Sequence, residues 1–292
     1  MKFAIPKHQA HFERFVKLKF SQSRFPDLCA LRETQLVDDM ADEVDELLLV
    51  GNWWRLLLIR ELAIRMLTLW VLTSFEFDCS YHSFDSIGAI QFRAFGQYHK
   101  EYDQLLTDYP GSLIPQGAYR VLCHQGHYGP GVSKVTCLSQ LANCYIHAIL
   151  SRSVNCSGDS TGVLSRQELL YLYSMVQSEP FHLGHILAEY LSHQGQYARV
   201  GVIFSDAYIT RLIIRMGLLD AIYGAEMTII PSPLGIEMMR LMGIMRIYRL
   251  GVYVMVTLAL EIPEGGGDAA KGSEPTQEPQ LEQIETDVLP AA

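Results

Sequence analysis

The sequence is dominated by segments in which apolar residues recur every three or four positions, the spacing that gives a helix one buried face. Residues 34–50 show the pattern most plainly, because six acidic residues alternate with the apolar ones and form an outer face. Residues 53–72 are more apolar throughout, which predicts a central, largely buried helix. Similar patterns predict further helices at 138–153, 165–177, 181–194, 207–216 and 234–248, and a basic amphipathic helix within 1–25.

Two segments depart from the helical pattern. Residues 87–100 alternate apolar and polar side chains around Gly96, which predicts a small β-hairpin. Residues 261–292 are rich in Gly, Pro, Glu and Gln, a composition typical of disorder, and carry eight acidic residues against one lysine. We therefore expect a mainly α fold, an irregular multi-helix domain with a small β-hairpin and a disordered acidic C-terminal tail. The expected divisions are a basic and aromatic N-terminal segment at 1–25, the helical domain at 26–260 and the tail at 261–292.

The charge and the cysteines limit the classes of function. The net charge of the chain is −9, of which the tail supplies −7, so the other 260 residues sum to −2. A bulk basic field for nucleic acid is therefore not expected. The six cysteines include no C-x-x-C pair, and the first residues show no secretory signal pattern. We expect reduced thiols in an intracellular protein of the cytoplasm or nucleus, not secreted and with no membrane segment.

The stretch Gly-Asp-Ser-Thr-Gly at 158–162 matches the G-x-S-x-G pattern of a hydrolase nucleophile elbow, with Ser160 as the nucleophile. An elbow needs a helix directly after the serine, whereas the best helix start here is Ser165. Ser165 and Glu168 form the S-x-x-E pattern of a capping box. A phosphate loop would need lysine where this sequence has Val163. The sequence therefore predicts a polar loop that enters a capped helix.

One group of potential metal ligands lies in the helix predicted at 181–194. Its members are His182, His185, Glu189 and His193, which fall within one band of that helix and could together bind zinc or iron. The spacing is neither H-E-x-x-H nor that of a facial triad. The complementary apolar stripe favours an ordinary polar face for this band.

A second group mixes thiols and imidazoles: Cys123, His124, His127, Cys144 and His147. A structural zinc site needs two closely spaced ligand pairs, and the pairs here are mixed and irregular. Buried cysteines that act as small apolar residues explain this group better. We therefore predict no metal ligands, no cofactor and no catalytic residues. A metal-dependent enzyme built on the His/Glu band is the alternative.

The N-terminal segment and the late methionines are the remaining patterns. Residues 1–25 contain six basic residues, one acidic residue and five phenylalanines. Such a segment could bind RNA through phosphate contacts and base stacking. An amphipathic helix that buries its phenylalanines is the favoured interpretation. Six methionines between Met216 and Met245 predict either core packing or a subunit contact.

Several stretches resemble, in order along the chain, the first-open-reading-frame protein of Athila-type plant retrotransposons, LTR elements of the gypsy class. The stretches are FSQSRFPD at 20–27, WRLLLIRE at 54–61, TSFEFD at 73–78, IQFR at 90–93, HAILSRS at 147–153, GDSTGV at 158–163, YITRL at 208–212 and MGLL at 216–219. None of them is a catalytic signature, so the resemblance concerns origin rather than a reaction.

The resemblance implies that the chain comes from a mobile element, and it brings no catalytic or cofactor-binding residues. The position of such a product in its element resembles that of gag, which implies assembly or nucleic-acid packaging. We therefore expect a non-enzymatic protein that self-associates, with RNA as a second partner through 1–25 and with no small-molecule substrate. The metal-dependent enzyme and an RNA-binding module remain the alternatives.

Overall fold

A computed structural model describes residues 5–22, 24–33, 40–78, 87–94, 97–104, 115–123, 126–155, 162–179, 183–197, 202–203, 206–218, 231–235, 239, 245–247 and 253–255. Within these residues the fold is mainly α, as the sequence predicts. The predicted tail at 261–292 lies outside them.

The described residues form ten α-helices. They are α1 (Pro6–Phe15), α2 (Leu28–Glu33), α3 (Met40–Leu49), α4 (Trp54–Leu57), α5 (Arg65–Ser74), α6 (Pro115–Leu122), α7 (Leu141–Arg152), α8 (Arg166–Gln177), α9 (Leu183–Tyr197) and α10 (Asp206–Arg215). Short 3-10 turns at Val50–Asn52 and Val135–Cys137 precede α4 and α7.

The described strands are two to eight residues long. They are β1 (Lys19–Phe20), β2 (Arg24–Pro26), β3 (Glu76–Asp78), β4 (Ile87–Ala94), β5 (Gln97–Gln104), β6 (Val202–Ile203), β7 (Ser232–Leu234), β8 (Met245–Ile247) and β9 (Tyr253–Met255). Strands β3, β4 and β5 form an antiparallel sheet in that order, and β8 pairs antiparallel with β9. The predicted hairpin at 87–100 is therefore confirmed as β4 and β5, with β3 added to it.

Two parallel strand pairs connect the N-terminal segment with the second half of the chain. Strand β1 pairs with β6, and β2 pairs with β7 in a register that places Pro26 opposite Leu234. The predicted N-terminal helix is present as α1, whose last residue Phe15 is fully buried. The N-terminal residues therefore pack as part of the helical body.

Helix α7 is the centre of the fold. Each of its residues from Ala142 to Ser151 is buried, including the polar side chains of Asn143, His147 and Ser151. Helices α3 and α8 and strand β2 pack against it. A helix that is buried all round must find a partner for each polar group it carries, because an unpaired buried polar group is costly. Ser151 finds its partner within the helix, since its hydroxyl donates to the Ala148 carbonyl oxygen.

The prediction of one continuous helix at 53–72 is wrong, since residues 58–64 between α4 and α5 are not helical. Within this break the guanidinium of Arg60 lies 4.5 Å from the centroid of the Phe25 ring, and Glu61 forms an ion pair with Arg211 of α10. A continuous helix would fix the directions of both charged side chains. The break lets each charge reach its partner while Ile59 is buried beside them.

The prediction of a helix at 234–248 is also wrong at the ends that the structure describes. Leu234 is the last residue of β7, and Met245 begins β8. Leu234 is held by long-range contacts, because its carbonyl oxygen accepts a hydrogen bond of 3.1 Å from the Tyr145 hydroxyl in α7. Met239 is fully buried, which favours core packing over a subunit contact for this methionine.

Candidate functional site

Among the residues that the structure describes, the most deeply buried ionisable pair joins α7 and α8. Nε2 of His147 lies 3.2 Å from Oε2 of Glu168, and the two side chains are 1% and 0% exposed. Nε2 makes no well-directed hydrogen bond, so the contact is a close approach of the imidazole to the carboxylate, and it becomes an ion pair when the imidazole is protonated. Sequence reasoning assigned His147 to a thiol and imidazole group and Glu168 to a helix cap, and it did not connect them. The only sequence signal was an ionisable residue inside a strongly apolar helix.

The capping box at the start of α8 fixes the position of Glu168. The Glu168 amide donates to the Ser165 hydroxyl oxygen at 3.2 Å, and the Ser165 amide donates to Oε2 of Glu168 at 2.9 Å. The side-chain amide of Asn155, just beyond α7, donates to the same hydroxyl oxygen at 3.0 Å. One carboxylate thus caps α8 and faces His147, as the sequence predicts for the cap alone.

The electrostatics of this pair favour the ionised carboxylate. Burial by itself raises the pKa of Glu168, but the contact with His147, its positive charge and the hydrogen bonds with Ser165 outweigh burial and lower the pKa to about 2. Because neither side chain is accessible, the pair cannot exchange protons directly with a ligand in solution. The contact joins α8 to α7 inside the core.

A cleft of about 220 Å³ opens beside this buried pair, lined by residues that follow α7 and by α8 and α9. Its polar lining comes from Asn155, Gln167, Glu189 and His193, and two tyrosine rings, Tyr171 and Tyr190, complete it. Burial raises the pKa of Glu189 above its ordinary value. The cleft therefore combines a carboxyl group, an imidazole and two amides with aromatic walls.

The cleft contains the described part of the predicted His/Glu band. Glu189 and His193 line it together, while His182 and the side chain of His185 lie outside the described residues. Across the part of the chain that the structure describes, three or more His, Cys, Asp or Glu side chains nowhere converge in a way that could hold a metal ion. Ser160, the candidate nucleophile, lies outside the described residues, and the described chain resumes at Gly162.

The described members of the mixed thiol and imidazole group do not form one site in the structure. Cys123 and Cys144 are buried, His127 is exposed and His147 contacts Glu168, while His124 lies outside the described residues. Burial raises the pKa of the Cys123 thiol to about 11 and that of the Cys144 thiol to about 12. The interpretation of these two cysteines as buried apolar residues is therefore confirmed.

Tyr119 in α6 lies near two thiols, those of Cys123 and Cys137. Burial raises the pKa of Tyr119, and the two neighbouring thiols raise it further. Cys137 is partly exposed, whereas Tyr119 and Cys123 are buried. The sequence analysis gave no role to Cys137, because the contact depends on two segments that meet only in the folded chain.

An acidic surface with exposed apolar side chains runs along α3 and ends at the turn into α4. Its exposed acidic residues recur at helical spacing, and the stripe continues into Leu49, which is 61% exposed, and Trp54, which is 38% exposed. The guanidinium of Arg55 lies 5.2 Å from the Trp54 ring. The members of this acidic surface are Asp42, Glu43, Glu46, Leu49 and Trp54.

A basic surface with exposed apolar side chains lies where the end of α1 meets the start of α5. Val16 is 42% exposed and Met66 is 47% exposed. Arg65 joins the two elements, because Nη2 donates to the Val16 carbonyl oxygen at 3.1 Å. The members of this basic surface are Arg14, Val16, Lys17, Lys19 and Met66, all of them exposed.

The phenylalanines of the N-terminal segment are largely occupied by contacts within the chain. Phe15 is fully buried, and the guanidinium of Arg65 lies 5.2 Å from the centroid of the Phe20 ring. Arg60 stacks on Phe25 in the same way. The burial of Phe15 confirms the prediction for α1, whereas Phe20 and Phe25 make their contacts from strands β1 and β2.

Neither a protein-family model, nor a curated protein, nor a solved structure matches this chain. In the described part of the chain, every helix is too short or too polar to cross a bilayer.

Proposed function

We propose that this chain is a non-catalytic assembly protein of a mobile element, in which the acidic surface of one copy binds the basic surface of another. The Athila-type resemblance supports the origin and a gag-like role. The observation that carries the proposal is the presence of two exposed surfaces of opposite charge, each with large apolar side chains beside the charges.

The acidic surface has the composition of a binding hot spot. Trp54 and Arg55 are of the residue types that contribute most to protein interfaces, and Leu49 adds exposed apolar area next to them. Covering such area releases about 25 cal/mol for each Å² of apolar surface. The turn between α3 and α4, which precedes Trp54, contains Gly51 and Asn52 at positive φ.

The charges of the two surfaces are complementary. Glu43 and Glu46 on α3 would face Lys17 and Lys19 near the end of α1, while the apolar side chains meet between them. Complementary charges speed association and fix the register, and the apolar contacts supply most of the affinity. A contact between two different surfaces can extend to rings or filaments, which suits an assembly role.

The occupied phenylalanines favour self-association over RNA binding through the same segment. A stacking platform for single-stranded RNA needs open aromatic faces beside the cations. Phe15 is buried, and Arg65 and Arg60 already contact Phe20 and Phe25. The exposed side chains of Lys17 and Lys19 therefore suit charge pairing better than base stacking.

A charge-reversal experiment tests the proposal. The full chain is compared with a Glu43→Lys/Glu46→Lys variant and a Lys17→Glu/Lys19→Glu variant by sedimentation at low salt. We expect the parent chain to associate. Each variant alone should have a dissociation constant for self-association at least tenfold higher, because its two surfaces then carry the same charge. Mixing the two variants should restore association, because one supplies only basic surfaces and the other only acidic ones.

A matched control separates this effect from a change of net charge. Lys134→Glu/Arg120→Glu reverses two exposed cations outside both surfaces and should associate like the parent chain. A parent chain that stays monomeric at high concentration would refute the assembly function. If the control loses association equally, or if mixing does not restore it, the assignment of the interface to these two surfaces is refuted.

A further inference from the structure

The cleft lined by α8, α9 and the residues that follow α7 has the size of a site for a very small ligand. Its volume is about 220 Å³, whereas sites for drug-sized molecules usually enclose about 300–1,000 Å³. One water molecule occupies about 30 Å³ of liquid, so the cleft offers the space of about seven water molecules. A ligand of roughly five to ten non-hydrogen atoms therefore matches this volume.

One carboxyl group dominates the charge of the described lining. Among the described residues that line the cleft, Glu189 of α9 is acidic and none is lysine or arginine. His193, one helical turn further along α9, adds positive charge only in its protonated form. Burial raises the pKa of Glu189, because a charged group is costly to remove from water. A cation bound beside this carboxylate would favour its ionised form and so offset that cost.

Two tyrosine rings give the cleft rigid aromatic walls. The Tyr171 ring of α8 lies against Trp53, with 5.3 Å between the ring centroids, and the Tyr190 ring of α9 meets Tyr208 at 5.6 Å. Each of these four residues is at most 5% exposed. Walls that are held in this way are preformed, so a ligand loses little affinity to ordering them. Aromatic rings also favour a flat cation with delocalised charge, which can stack on a ring face.

Two side-chain amides add hydrogen-bonding groups to the lining. The amide nitrogen of Asn155 donates to the Ser165 hydroxyl oxygen at 3.0 Å, which fixes the orientation of that amide. Gln167 contributes the second amide from the first turn of α8. Carboxylate and amide oxygens accept hydrogen bonds, and a guanidinium group has several N–H donors and no acceptor. The chemistry of the lining therefore matches a guanidinium group better than an anion or a purely apolar ligand.

We propose that this cleft binds a small guanidinium compound, with Glu189 as the opposite charge and with Tyr171 and Tyr190 as stacking walls. The inference concerns binding and includes no reaction. It goes beyond the assembly function, because none of the described lining residues belongs to the acidic surface or the basic surface. An arginine side chain ends in the same group, so the experiment must also distinguish the source of the guanidinium.

Nuclear magnetic resonance of the full chain with carbon-13-labelled tyrosine rings tests the proposal. Methylguanidinium chloride is titrated at constant ionic strength, and methylurea serves as its neutral isostere. We expect saturable shifts of the Tyr171 and Tyr190 signals, assigned with Tyr171→Phe and Tyr190→Phe, and a dissociation constant on the order of 1 mM. Methylurea should bind about tenfold more weakly, because it offers no charge to Glu189.

Two isosteric substitutions change the charge of the cleft in opposite directions. Glu189→Gln should weaken methylguanidinium binding about tenfold, to the level of methylurea. Gln167→Glu adds a carboxylate and should strengthen binding several-fold, which keeps the test decisive if Glu189→Gln does not fold. The control is Glu179→Gln, which removes one negative charge beyond the end of α8, outside the described lining, and should bind like the parent chain.

Capped arginine, N-acetylarginine amide, distinguishes the source of the guanidinium. Tighter binding than that of methylguanidinium supports an arginine side chain of another chain as the occupant, and weaker binding supports a free compound. The proposal is overturned if methylguanidinium and methylurea bind alike, or if neither shifts the two tyrosine signals. It is also overturned if Gln167→Glu fails to strengthen binding, or if Glu179→Gln weakens binding as much as Glu189→Gln does.

Discussion

Nε2 of His147 and Oε2 of Glu168 meet 3.2 Å apart where α7 packs on α8, and almost none of either side chain is accessible to solvent. The same carboxylate accepts the amide hydrogen of Ser165 and so closes the capping box of α8. The central helix and the best-capped helix of the fold are therefore joined through one charged group. The stability of this joint can be tested directly.

Replacement of Glu168 by Gln should destabilise the protein by about 3 kcal/mol, because the His147 imidazole loses its charged partner inside the core. The measurement is the free energy of unfolding in urea. Glu43→Gln on the exposed face of α3 is the matched control and should change it by less than about 0.5 kcal/mol. Equal effects of the two substitutions would mean that the buried pair contributes nothing specific.

The low pKa of Glu168 predicts an acid-dependent loss of stability. Its folded-state pKa of about 2 lies below the ordinary value of 4.5, so its contribution is fully present above pH 4.5 and is lost as the pH falls towards 2. We expect this group alone to account for about 3 kcal/mol across that window. Urea unfolding at pH 6, 4, 3 and 2.5 measures it. The curve for Glu168→Gln should be flatter by that amount, and a parallel curve would contradict the assignment.

The two serines near the start of α8 should respond differently to substitution. Ser165→Ala removes the acceptor for both the Glu168 amide and the Asn155 side chain, and it should lower the free energy of unfolding by about 1–2 kcal/mol. Ser160→Ala should change it little, because the sequence predicts a polar loop there. Thermal or urea unfolding of the two variants gives the comparison. Large and equal losses would mean that the loop at 158–162 is more than an approach to the helix.

Trp54→Ala should weaken self-association at least tenfold without unfolding the chain. Trp54 is 38% exposed and has the side chain most suited to a hot spot on the acidic surface. Val132→Ala is the control, because Val132 is 72% exposed and is not a member of either charged surface. Sedimentation gives the association constants, and circular dichroism checks the fold. A tryptophan variant that associates like the parent would exclude Trp54 from the interface.

Two glycines should respond in opposite directions to alanine. Gly51 has a φ of +58° in the turn between α3 and α4, so Gly51→Ala should cost about 1 kcal/mol of stability. Gly117 lies within α6 with open space around its Cα, so Gly117→Ala should stabilise by about 0.5–1 kcal/mol. Urea unfolding measures both. Stabilisation by Gly51→Ala would mean that the turn relaxes to an ordinary helical conformation.

Local signals in the sequence predicted the elements that depend on local physics. The helix that became α8 was predicted to within one residue, because Ser165 and Glu168 specify its start through contacts only three residues apart. The hairpin of β4 and β5 was predicted for a similar reason, since its alternation lies within one short stretch. Such contacts need no knowledge of the rest of the fold.

The errors lie where distant residues determine the local structure. The break at 58–64 depends on Phe25 and Arg211, which lie far away in the sequence from Arg60 and Glu61. The joining of His147 with Glu168 was missed in the same way, because periodicity places each residue on a helix face but does not say which helices face each other. The cleft likewise combines side chains from three successive segments.

The two parallel strand pairs also set an order of events during synthesis. Arg24 in β2 hydrogen-bonds Ser232 in β7 across 208 positions of sequence. On the ribosome, the N-terminal strands are made early, but their partners emerge only after the central helices have been translated. Closing so long a loop carries a larger entropic penalty than local helix formation. Strands β1 and β2 would therefore reach their final contacts only after the central helices have been made.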